Sequence, residues 1–181
     1  MRRQKEMDPH FDQIRKMAED SGVEVELVIV GTSSIEKAIV VKRIEGIETE
    51  LAELKNLSQQ NLDEFSQGTG WKLAEFHLHR ALEGVFNIST HILSRIPGGQ
   101  ATQYKEIALK MGEHHIVPNE FAEKTLVKMA KYRNRLVHFY AQVSCQELHQ
   151  IISKDLGDFE FFLSSIKNLL EHPETFELAV E

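Results

Sequence analysis

The chain has 181 residues, is 41% hydrophobic and 27% charged, and carries a formal net charge of −7; these values describe a globular protein of one domain with a sizeable core. The acidic balance argues against a surface coated in basic patches for duplex binding, while leaving room for a small basic cleft. No apolar run approaches the ~20 residues of a membrane span, Met1 to Glu6 lack the apolar core of a signal peptide, and the single cysteine, Cys145, excludes an internal disulfide framework and fits a reducing cytoplasm.

Residues 1–34 read as an N-terminal extension. Within it, residues 11–20 suit a short helix, and residues 23–30 alternate apolar and acidic side chains as a strand does, with no partner strand elsewhere. From residue 35 to 181 the pattern is helical. Ser34 is placed as an N-cap, and the three-four spacing of Ile44, Ile47, Leu51 and Leu54 predicts a first helix over residues 35–62. Gln67-Gly68-Thr69-Gly70 breaks it. A second helix carries Trp71, Ala74, Leu78, Ala81, Val85, Ile88 and Ile92 on one seam, widened by Leu73, Phe76, Leu82, Phe86 and Leu93, which predicts a central position. Ile96-Pro97-Gly98-Gly99 ends it. A short third helix covers residues 102–112. A fourth starts at Val117-Pro118, where the missing proline N–H does no harm, and runs to about residue 137 or 139. Ser144-Cys145-Gln146-Glu147 reads as a capping box before a fifth helix, with Leu148, Ile152, Leu156, Phe159, Leu163, Ile166 and Leu170 on one face. From His172 the acidic tail is expected to be loose. The segments predict an all-α, antiparallel bundle of four to five helices joined by short loops.

The fourth helix holds the most informative residues. Arg133 points along the apolar stripe made by Leu126, Met129, Ala130, Leu136 and Val137, where an unpaired charge is costly. Asn134 and His138, four apart, share a flanking face. Lys124, Lys128, Lys131, Arg133 and Arg135 make this helix basic, with Glu120 and Glu123 the nearby acids, so it reads as a small electrostatic funnel. An arginine fork binds phosphate in bidentate fashion and stabilises charge growing on a phosphoryl oxygen. A histidine takes a proton from a ribose 2′-OH or gives one to a leaving 5′-oxygen. Asn134 is placed to orient either group. These parts suffice for RNA cleavage without a metal. The bland alternative is that Arg133 pairs with a bundle carboxylate such as Glu83 and His138 caps the helix C-terminus.

The run Arg133-Asn134-Arg135-Leu136-Val137-His138-Phe139-Tyr140 resembles the R-N-x-x-x-H-x-Y signature of the HepT family, within the HEPN superfamily. The similarity extends over residues of about 35 to 170. The segment from Leu82 to Leu93 resembles the family's second helix, and Tyr104-Lys105-Glu106 matches its S/T-x-Y region loosely. The resemblance implies a homodimeric HEPN-like bundle with two motifs meeting in a composite RNase site. It implies a metal-independent endoribonuclease toxin of a type VII-like toxin–antitoxin pair, needing no cofactor. The partner is a MntA-like minimal nucleotidyltransferase antitoxin, which transfers AMP to the motif tyrosine, here Tyr140. By carry-over Arg133 stabilises the phosphoryl transition state, His138 is the general acid or base, Asn134 supports it, and RNA is the substrate. Asn87 stands where many relatives carry an acid, and residues 1–34 have no placed counterpart. The alternative is a catalytically silent HEPN module that binds a nucleotidyltransferase and nucleotide or RNA through Arg133. A third reading makes residues 1–34 a tether to another protein.

Other residues carry less. His114-His115 and the pair His77 and His79 lack the i, i+4 spacing that shares a metal on one face, and are expected as solvent or loop histidines. His91 is a bundle histidine that would face the motif only in the sharper reading. Cys145, at a helix start without a His or Asp neighbour in sequence, reads as structural. Gly98-Gly99 is a turn without a phosphate-loop pattern around it.

Overall fold

The computed structural model describes residues 34–137, 143–176 and 178–181, which lie in one compact unit. The extension read over residues 1–34 lies outside the described residues, Ser34 excepted. Helices α1 (Lys37–Leu57), α2 (Leu62–Gln67), α3 (Gly70–Leu93), α4 (Tyr104–Glu113) and α5 (Asn119–Phe121) are followed by a π-helical turn (Ala122–Leu126). Then come α6 (Val127–Val137), α7 (Cys145–Lys154), α8 (Leu156–Glu171) and a 3₁₀ turn (Pro173–Phe176). The fold is an all-α bundle. α3 is its centre, packing on α1, α4, α6 and α7, and Ala74, Leu78, Ala81, Leu82, Val85, Phe86, Ile88, Ile92 and Leu93 are buried along it. Leu73 and Phe76 do not join that face; they are 45% and 54% exposed. Arg80 lies over the Phe76 ring, 5.5 Å from its centroid.

The first predicted helix stops early because Asn61 starts a new one. Asn61 Oδ1 accepts from the Glu64 N–H at 3.0 Å and the Glu64 carboxylate accepts from the Asn61 N–H, a complete capping box. The fifth predicted helix breaks at Asp155, whose carboxylate is held by Lys128 at 2.6 Å. The seam of apolar residues continues across the break, so periodicity alone does not reveal it.

The tail is docked rather than loose. Val180 pairs with Ile35 in an isolated parallel bridge, and Ile35 is fully buried. The Ile35 N–H donates to Ala179 O at 2.8 Å, and the Lys37 N–H donates to Glu181 O at 2.8 Å. The Glu181 carbonyl satisfies one of the donors that a helix start leaves orphaned. Ser34 therefore does not cap α1; the N-cap position falls to Glu36, which makes no side-chain cap. Glu36 is engaged instead by Arg95 and by His91, whose Nε2 lies 3.0 Å from its carboxylate. His91 is thus a bundle histidine beside a carboxylate, with its buried Nε2 making no hydrogen bond among the described residues. Burial, then the nearby Arg95, lowers its pKa against the pull of Glu36.

No helix among the described residues is long and apolar enough to cross a membrane.

Candidate functional site around Arg133

Three helices bring the site together. Arg133 lies in the C-terminal half of α6, Glu83 midway along α3, and Tyr104 opens α4. The π-helical turn before α6 widens the helix by one residue and resets which side chains of α6 face the core. From there Val127, Met129 and Ala130 are buried, which anchors α6 and leaves Arg133 at the rim with its side chain 19% exposed. Leu136 is half-buried and Val137 exposed, so the apolar stripe fades toward the motif.

The Arg133 Nε–H donates to Glu83 Oε2 at 2.9 Å. Its Cζ lies over the Tyr104 ring, 4.1 Å from the centroid. The ring is itself braced edge-on by the buried Phe86, centroid to centroid 5.0 Å at 74°. Burial, and then the Glu83 charge, raise the Tyr104 phenol, while Arg133 opposes them; the ring is therefore neutral near pH 7. A charge-assisted hydrogen bond contributes about 1.5–3 kcal/mol and a cation–π contact about 0.5–2 kcal/mol. Together they match or exceed the ~2 kcal/mol of rotamer entropy lost on fixing an arginine side chain. The predicted pairing with Glu83 is therefore present, and Tyr104 is a contact that one-dimensional reasoning missed. Its only signal was the loose match of Tyr104-Lys105-Glu106.

The funnel of five cations is largely neutralised. Lys124 pairs with Glu120 at 2.8 Å, Lys128 with Asp155 at 2.6 Å, Arg133 with Glu83, and Arg135 forks onto Glu147 at 2.6 and 2.8 Å. Lys131 makes no ion pair among the described residues. Glu147 also accepts from the Tyr132 hydroxyl at 3.0 Å. This explains why the predicted capping box is half formed: Ser144 Oγ accepts from the Glu147 N–H at 3.2 Å, but the Glu147 carboxylate is turned to Arg135. Asn134 is exposed on α6. His138 and Tyr140 lie outside the described residues.

The remaining candidates resolve as follows. His77 is not a solvent histidine; its Nδ1 lies 2.6 Å from the buried carboxylate of Glu50, which Arg80 also holds. No group of three or more His, Cys, Asp or Glu side chains converges as a metal site among the described residues. The Cys145 thiol is pushed up by burial, in keeping with a structural role. A groove of about 470 Å³ between α1 and α8, lined by Leu51, Leu156 and Leu163 among others, takes no residue from α6.

The same arrangement of helices is found in solved toxin–antitoxin structures. The structure superposes with a TM-score of 0.66 on a toxin–antitoxin complex crystallised with AMP-PNP, at 20% identity, over 73% of this chain and 99% of the other. It matches a tri-AMPylated Shewanella oneidensis HEPN toxin in complex with MNT antitoxin equally well, TM-score 0.66 at 21% identity, over 72% of this chain and 97% of that one. In sequence the chain is 27% identical to the tRNA nuclease HepT of Aphanizomenon flos-aquae over 139 residues, 76% of this chain and 94% of the relative. The family model "Ribonuclease HepT-like" matches residues 47–166, a span that holds Glu83, Tyr104 and the whole motif from Arg133 to Tyr140. The chain belongs to the HepT-like ribonuclease family.

Proposed function

We propose that this protein is a cytoplasmic, metal-independent endoribonuclease toxin, paired with a MntA-like nucleotidyltransferase antitoxin. The observation that supports it best is the motif from Arg133 to Tyr140 inside the span matched by the HepT-like ribonuclease family model, with the Nη edge of Arg133 left open among the described residues beside Glu83 and Tyr104. Arg133 binds the scissile phosphate and stabilises charge on its oxygens. The ribose 2′-oxygen bonds to phosphorus as the bond to the 5′-oxygen breaks. His138 takes the 2′ proton or delivers one to the leaving 5′-oxygen, and Asn134 orients it. The products are a 2′,3′-cyclic phosphate and a 5′-hydroxyl. Two copies of the motif meet across a homodimer interface, the bundle being residues 35–181 and residues 1–34 an N-terminal extension. The antitoxin transfers AMP to Tyr140, placing negative charge where an RNA phosphate must bind.

Purified protein should cleave RNA in EDTA to these ends. Arg133→Ala and His138→Ala should each abolish toxicity with the fold intact; a His138→Ala variant as toxic as wild type would rule the mechanism out. Sedimentation as a monomer at micromolar concentration would count against a composite site. On co-expression with the nucleotidyltransferase, intact mass should rise by one or more AMP units, and the gain should vanish in Tyr140→Phe.

One observation favours a second reading, a catalytically silent module: Arg133 already has a counter-ion in Glu83. That reading predicts association with the nucleotidyltransferase and no RNA cleavage by the wild type.

A further inference from the structure

We infer that Glu83 and Tyr104 are positioning residues that aim the Arg133 fork at a substrate phosphate, an inference that rests on the nuclease reading above. The guanidinium has three parts that a protein can use: the Nε–H, the flat face, and the edge carrying Nη1 and Nη2. The Nε–H is taken by Glu83 Oε2 at 2.9 Å. The face lies over Tyr104, Cζ 4.1 Å from the ring centroid. The Nη edge makes no hydrogen bond among the described residues, and the side chain keeps 19% of its surface in solvent. A carboxylate placed to neutralise an arginine commonly grips two nitrogens as a fork, as Glu147 does on Arg135 in the same helix. Glu83 grips one, and the remaining edge is the one that binds phosphate in bidentate fashion.

The brace extends inward. Tyr104 rests edge-on against Phe86, which is 1% exposed. Glu83 and Phe86 are three apart on α3, so one rigid central helix sets both the carboxylate and the wall behind the ring. The π-helical turn that precedes α6 delivers Arg133 to this corner. Neither Glu83 nor Tyr104 needs to touch the reacting atoms. They act through Arg133, by removing its freedom before RNA arrives.

The test is steady-state cleavage of a defined RNA by the full-length protein, separating kcat from KM. Glu83→Ala and Tyr104→Leu should lower kcat by about tenfold or more, as misplacement of a catalytic group does, with little change in KM. Glu83→Gln keeps an oxygen to accept the Nε–H, and Tyr104→Phe keeps the ring, so both should restore most of kcat. Arg133→Lys keeps the charge but has neither Nε nor fork, and should be as inactive as Arg133→Ala. Unfolding curves for each variant identify those that are folded at the assay temperature. A merely structural ion pair predicts altered melting with wild-type kcat in folded Glu83→Ala. That result would overturn the inference, as would a Glu83→Ala protein more active than wild type, which would make Glu83 a competitor of phosphate. Should Glu83→Ala not fold, unequal kcat values for Tyr104→Phe and Tyr104→Leu support the inference and equal ones overturn it. An inert wild type would remove the nuclease reading itself; an active wild type indifferent to Glu83 and Tyr104 removes only this inference.

Discussion

Replacing Gly112 by alanine sets two effects of opposite sign against each other. Gly112 lies in the last turn of α4, where helix propensity alone favours alanine by about 0.5–1 kcal/mol. Packing predicts the reverse. A Cβ at this position would lie 2.7 Å from the Cβ of Ala122, 2.9 Å from Asn119 Oδ1 and 3.3 Å from Asn119 Cα. Carbon atoms rest about 3.5–4.0 Å apart, so the overlap with Ala122 is on the order of 1 Å. The Asn119 amide can swing aside, but Ala122 is 1% exposed, has no rotamer to change, and belongs to the π-helical turn. Overpacking of this kind costs about 1–3 kcal/mol, so at the middle of both ranges the net destabilisation is about 1 kcal/mol. At roughly 2–4 °C per kcal/mol for a domain of this size, Gly112→Ala should lower Tm by about 2–4 °C in a thermal unfolding experiment. Adding Ala122→Gly, which removes the clashing atom, should return part of the loss despite its own helix penalty. Because α4 carries Tyr104 and the π turn leads to Arg133, RNA cleavage should weaken in Gly112→Ala and recover in the double variant. A Tm equal to or above that of wild type would show that propensity wins and that the α4–π turn contact is not tight.

Three further outcomes follow from particular contacts. Burial raises the Glu50 carboxyl, but hydrogen bonds from His77 and Arg80 outweigh it and leave the folded pKa below the ordinary 4.5; a depressed carboxylate stabilises above its unfolded pKa and loses that contribution as pH falls through the folded one, so the stability gap between wild type and Glu50→Gln should close on acidification below about pH 4.5, and a gap independent of pH would refute the role. Phe162 is fully buried, so Phe162→Ala should cost about 3–5 kcal/mol in chemical denaturation, whereas Leu73→Gln, at a site 45% exposed, should stay within about 0.5 kcal/mol; a large loss at Leu73 would mean that another surface covers it. Single-stranded RNA binding by His138→Ala should weaken with salt at a slope of about −3 in log K against log salt, from Lys131 and the Arg133 fork counted twice in a dimer, rather than the roughly −7 that five unpaired cations per helix would give; the steeper value would refute the neutralisation of α6.

Much of the bundle was legible because its cause is local. Ala74, Leu78, Ala81, Val85, Ile88 and Ile92 repeat at helical spacing and are all buried, which is how periodicity is meant to work. The departures share a physical reason. Asp155 interrupts a helix whose apolar seam runs on, which periodicity cannot reveal, and Asn61 caps a new helix inside the span expected of the first. The docked tail depends on backbone hydrogen bonds between Ile35 and Ala179 and between Lys37 and Glu181, which carry no side-chain signature. Leu73 and Phe76 were placed inside because they are apolar, yet the helix has only so much inward face, and Leu82 and Phe86 fill it.

The site was legible in its residues and not in its electrostatics. Reading along the sequence around α6 shows Glu120 but not the other acids that matter: Glu83, which the bundle pattern offers as a partner, is 50 positions from Arg133, and Asp155 is 27 from Lys128. A helix that is basic in one dimension becomes nearly neutral once α3, α7 and the α7–α8 corner close around it. The sequence offers the pairing of Arg133 with Glu83 as the plain alternative to a role in phosphate binding. The geometry separates the two questions. A guanidinium has more than one face, and here the carboxylate takes the Nε–H and the aromatic ring takes the plane. An ion pair of that shape neutralises part of the charge without consuming the Nη edge, where phosphate is proposed to bind. The test of function is therefore which edge of Arg133 is engaged, and not whether it has a partner.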